Sequence, residues 1–213
     1  MARQKLKDRE MPFYTKGEEI FNMVSHIVGG GVGIVALTLC VIFAAIHKNV
    51  YGVVGSSVYG ASMIILYTMS SIYHGLKPDL MAKRVFRIID HCSIFILIAG
   101  TYTPICLVSL REYSPLLGWG IFGIVWGAAI LGITLNSIDL KQYKTFSAIC
   151  YLVMGWCIIF AIKPIFDMID KNDFLRFHEN IEPYTCPTHD MSVEEFLKVK
   201  KHSGLFCFLV ICL

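Results

Sequence analysis

Ser70 and His74 stand four residues apart, and Asp90 follows the histidine by sixteen. On a helix the first two share a face. An imidazole can ligate a metal or move a proton, a carboxylate can hold a metal-bound water or serve as general base, and a hydroxyl can hydrogen-bond that water or a substrate oxyanion. Glu19, Asn22 and His26 form a second set, whose offsets of three and seven put all three on one helical stripe. His91 lies beside Asp90. A catalytic zinc takes three protein ligands and a water; His74 is one candidate, with His26 and His91 as others. A plainer reading stands beside this one: Glu19 and Asn22 cap a helix while His74 snorkels to the headgroups. The chain has no nucleophile elbow, phosphate-binding loop or dinucleotide fingerprint.

These residues sit at the ends of long apolar runs. The 213 residues are 55% hydrophobic and only 16% charged, where soluble domains run about 25% charged. Five runs, at about 23–46, 51–73, 88–110, 114–135 and 145–166, approach the ~20 residues that span a hydrocarbon core. A spanning segment must satisfy its own backbone, so these are helices. The expected fold is an all-α integral membrane bundle, with a basic arm at 1–18, a transmembrane domain at 19–166 and a divergent polar tail at 167–213. Net charge is only +3, and the charges cluster in loops, so nucleic acid is not an expected partner; the lipid bilayer is. The eight cysteines form no CxxC, and those in the apolar runs (Cys40, Cys92, Cys106, Cys150, Cys157) read as buried free thiols. The first run is too long for a signal-peptide core.

Basic residues set the expected orientation. Arg3, Lys5, Lys7, Arg9 and Lys16 precede the first run; Lys77, Lys83, Arg84 and Arg87 lie between the second and third; Lys141 and Lys144 lie between the fourth and fifth. The intervening loops offer little beyond Lys48 and Arg111. The basic excess alternates, which places the N-terminus in the cytoplasm. It also brings the Glu19–His26 stripe, the Ser70/His74 pair and Asp90 to one cytoplasmic level. Small residues at four-residue spacing (Ser25, Gly29 and Gly33; Ser56 and Gly60; Gly123 and Gly127) predict close helix packing within the bundle or between copies of the chain. Pro104, within Gly100-Thr101-Tyr102-Thr103-Pro104, frees the carbonyl of Gly100 and predicts a kink, with Thr101 or Thr103 able to satisfy that carbonyl. In the tail, Ser192–Glu195 reads as a helix start, and Leu205–Leu213 is too short to span.

Glu19-x2-Asn22-x3-His26, Ser70-x3-His74, Asp90, the Gly100–Pro104 string and the Trp119…Trp126 helix together resemble the hemolysin III family, within the progestin and adipoQ receptor superfamily. The likeness runs in order over about 14–166. It implies a seven-helix bundle with the N-terminus inside, in a bacterial plasma membrane. It also implies zinc, held by His74 and by two histidines of an H-x3-H motif in the last helix, with Asp90 contacting the metal through water and Ser70 in support. Glu19, Asn22 and His26 match the family's first-helix motif. The superfamily's kinship with ceramidase-like hydrolases implies a lipid amide or ester as substrate, whereas the family's name implies membrane lysis without catalysis. After Phe166 the sequence departs from the pattern: His178, His189 and His202 stand eleven and thirteen apart, so none makes H-x3-H. The tail therefore reads as a truncated or frameshifted end, a recruited variant, or a gap that partner helices fill.

Overall fold

A computed structural model of the chain describes residues 6, 9, 11–159 and 161–163; the expectations placed on the tail fall outside these. All regular structure among the described residues is helical. Five helices are long and apolar enough to cross a membrane: α1 (Lys16–Ile46), α2 (Val50–Gly75), α3 (Met81–Tyr113), α4 (Pro115–Ile138) and α5 (Lys144–Lys163, regular to Trp156). The chain is an integral membrane protein. At 1.5 Å per residue the 33 residues of α3 reach about 50 Å, against a hydrocarbon core of about 30 Å. The surplus accommodates polar end turns, and those turns carry the residues of interest.

α1 opens seven residues before its apolar run because Thr15 and Glu18 close a capping box. The Thr15 hydroxyl accepts from the Glu18 amide, and the Glu18 carboxylate accepts from the Thr15 amide at 2.7 Å. Neither Glu19 nor Asn22 is the cap, which corrects the plainer reading of those two residues.

α3 is the central helix, with α2 against one side and α4 and α5 against the other, while α1 packs chiefly on α2. Phe95, Ala99, Tyr102 and Cys106 of α3 form the core with Ile121, Val125 and Ala129 of α4 and Met154 and Ala161 of α5. The Gly100–Pro104 string joins these helices. The Tyr102 hydroxyl donates to the carbonyls of Met154 and Gly155 at 2.7 and 3.0 Å, and Trp126 Nε1 donates to Thr103 Oγ1 at 3.1 Å.

Pro104 perturbs α3 as expected, but the form differs. Residues Ile105–Leu110 wind as a π-helix, in which the Arg111 amide donates to Cys106 O. The two threonine hydroxyls go to Ile98 O and Ala99 O rather than to Gly100 O.

The small-residue pattern holds between α1 and α2. A Cβ on Gly29 would lie 2.8 Å from the Tyr67 ring, and one on Gly60 would lie 2.5 Å from Leu37. Within the chain it makes no contact on α4, where Gly123 and Gly127 face open space. The close contact of α4 is made instead by Gly132, against the Phe95 ring. Cys92, Cys106, Cys150 and Cys157 are free thiols, but Cys40 is disulfide-bonded, against expectation.

Candidate functional site

The polar ends of α1, α2 and α3 meet at Glu19. Its carboxylate accepts from His74 Nδ1 through Oε2 and from Lys83 Nζ through Oε1, both at 2.7 Å. Lys83 Nζ also donates to Leu76 O at 2.9 Å and lies 5.2 Å over the Tyr73 ring. The side chains of Lys83, His74 and Glu19 are only 4, 8 and 18% exposed. His74 therefore does not snorkel, and the lysine is held out of water by compensation on all sides. A carboxylate only accepts, so Nδ1 of His74 carries a proton and Nε2 is the ring atom left for chemistry.

Aromatic groups wall the imidazole. Tyr73 and Tyr14 lie with ring centroids 4.7 and 5.7 Å away, and His26 lies at 6.1 Å. Nδ1 of His26 is buried without a hydrogen-bond partner among the described residues. His26 stands within electrostatic reach of both His74 and Asp90. Asp90 is 15% exposed, with Oδ2 3.7 Å from His91 Nδ1. That His91 nitrogen donates to Arg87 O at 2.9 Å, which turns the ring to the α3 backbone rather than toward His74. Ser70 is buried on α2 one turn before His74, and Asn22 is half-buried on the α1 stripe between Glu19 and His26.

All the residues singled out from the sequence thus lie at one end of the bundle. Direct contact joins Glu19 to His74, and the His26 ring neighbours the His74 ring. Among the described residues no three histidine, cysteine, aspartate or glutamate side chains converge closely enough to hold a metal ion. The donor set fits one metal position only in part: His74 offers Nε2, with Glu19 behind it in the carboxylate–histidine arrangement that orients metal-ligating imidazoles, while Asp90 lies against His91 and within electrostatic reach of His26. Sequence reasoning missed Lys83, Tyr14 and Tyr73. Lys83 and Arg87 stand four apart, a helical face, yet their charge pointed only to topology.

The fold and the site define a helical integral membrane protein with a buried histidine–carboxylate–lysine cluster at one membrane end. The sequence profile of the Haemolysin-III related family matches residues 14–179. Hemolysin-3 of Bacillus cereus is 40% identical over 157 residues, 74% of this chain and 70% of that protein. A Hemolysin-3 homolog of Bacillus subtilis (strain 168) is 38% identical over 161 residues, 76% and 74% of the two chains. The chain belongs to the Haemolysin-III related family. No solved structure matches it.

Proposed function

We propose that the chain is a membrane hydrolase of lipid amide or ester bonds, centred on His74 and dependent on zinc. The observation that carries this reading is the 2.7 Å contact between His74 Nδ1 and the Glu19 carboxylate. It fixes the ring and its tautomer at a membrane end, where a lipid carbonyl near the headgroups would be within reach, with the His26 ring 6.1 Å away and Asp90 within electrostatic reach of that His26. His74 would hold the metal through Nε2, Asp90 would orient a water molecule, and buried Ser70 would support them. When bound, zinc lowers the pKa of its water to about 7 and so supplies a nucleophile at neutral pH. Glu19 positions the imidazole, Lys83 holds the other oxygen of that carboxylate, and the Tyr14 and Tyr73 rings exclude bulk water.

Elemental analysis of the purified protein tests the metal. Wild type is expected to hold zinc that His74→Ala loses, while Glu19→Gln, which removes only the orienting charge, weakens zinc affinity about 10–100-fold. Equal zinc in wild type and His74→Ala removes the metal from this reading.

The name of the two Bacillus relatives favours a second reading, in which the chain perturbs membranes without catalysis. Dye release from liposomes at equal rates for wild type and His74→Ala would select it.

A further inference from the structure

A second polar feature lies next to the histidine cluster and shares the Tyr14 wall with it. The N-terminal arm, α3, the end of α4 and the start of α5 enclose a cavity of about 620 Å³. Five cations line it: Arg9, Arg84, Arg87, Lys141 and Lys144. Among the described residues no carboxylate lines it. Of the described acids, Asp90 lies against His91, while Asp139 accepts from the amides of Lys141 and Gln142 and stands 3.9 Å from Arg9 Nη2.

The walls are built and not merely basic. Arg84 Nη1 donates to the backbone carbonyl of Arg9, pinning the arm to α3, and Arg9 Nη2 donates to Ile138 O at 2.8 Å, pinning it to the end of α4. The pinned Arg9 side chain is 13% exposed, and its Nε and Nη1 are buried with no hydrogen-bond partner among the described residues. A buried charged donor without an acceptor is costly, so this one awaits an acceptor. Ser147 Oγ donates to Asn136 Oδ1 at 2.5 Å with Tyr151 beside them, and apolar side chains such as Ile88 and Leu140 complete the lining.

We propose that this cavity binds a phosphate-bearing anion, with the headgroup of an anionic phospholipid as its source. Arginine forks match phosphate oxygens, and Arg9 presents two buried donors, Nε and Nη1, that no described acceptor engages. The volume exceeds a bare phosphate and leaves room for a glycerol-sized group. The cavity lies at the end of spanning helices, where basic pockets meet lipid headgroups. The inference does not depend on metal or catalysis at His74.

Native mass spectrometry of the full chain in detergent, titrated with phosphatidylglycerol or with phosphatidylcholine of the same acyl chains, tests it. Wild type is expected to hold phosphatidylglycerol at least tenfold more tightly. Arg84→Gln and Lys144→Gln are each expected to lower that affinity about fivefold, the effect of one interfacial cation. Lys48→Gln, in the α1–α2 turn at the other end of the bundle, leaves it unchanged. Lys144 is exposed, so its variant folds even if Arg84→Gln does not. In a parallel arm, inorganic phosphate alone is added to the wild type and to Lys144→Gln in a thermal-shift measurement. Stabilisation that needs Lys144, without preference among the lipids, keeps the phosphate site and assigns it to a soluble ligand. The proposal is overturned by equal affinity for the two lipids together with no response to phosphate, or by a Lys48→Gln loss as large as that of Lys144→Gln.

Discussion

At the scale of single residues, Glu19 is the junction on which the site depends. It compensates a lysine with only 4% of its side chain exposed and at the same time orients His74. Removing one partner of a buried pair leaves the other uncompensated, at about 3–5 kcal/mol. Glu19→Ala is therefore expected to lower stability in detergent by that order, read as a loss of folded protein in a thermal or SDS titration. Replacing both charges with apolar groups, as in Glu19→Leu with Lys83→Met, is expected to recover most of the loss, because the cost lies in the orphaned charge. A double variant no more stable than Glu19→Ala would mean that packing, and not charge compensation, accounts for the effect.

At the scale of helices, the close approaches decide which glycines matter. Gly132 faces the Phe95 ring and Gly127 faces open space, although both lie on α4. Gly132→Ala is expected to cost about 1–3 kcal/mol through overpacking, whereas Gly127→Ala is expected to be neutral or to gain up to about 1 kcal/mol from helix propensity; thermal unfolding of the two variants compares them directly. Trp126→Phe removes a donor to Thr103 and is expected to cost about 1 kcal/mol. The five spans were legible because uninterrupted apolar length is a local property. Their starts were less so. α1 begins at Lys16 and α3 at Met81, each about seven residues before its apolar run, since Glu18 and Glu19 in one and Lys83, Arg84 and Arg87 in the other hide helical turns behind charge. Which glycines make contacts was not legible, because spacing along one helix does not say which face meets a neighbour. Lys83 was read for topology alone, since its partner lies 64 residues away.

At the scale of the whole molecule, the charge pattern and the fold meet in one expectation. The capping turn of α1, the α2–α3 connection and the start of α5 share an end of the bundle, the end that the basic excess assigns to the cytoplasm. A topology reporter fused at residue 49 is expected to report the outside and one at residue 80 the cytoplasm; equal cytoplasmic signal from both would remove that orientation. The ion pair between α1 and α3 also bears on how the chain is made. Translation proceeds at about 5–20 residues per second, and Glu19 precedes Lys83 by 64 residues. The carboxylate is thus synthesised about 3–13 s before the ammonium that neutralises it. His74 follows Glu19 by 55 residues and Lys83 follows Glu19 by 64, so most of that interval passes before α2 is complete and the imidazole precedes the ammonium by only about 0.5–2 s. The arrival of α3 supplies the missing charge, so the order of synthesis makes the third helix the one that locks the first two.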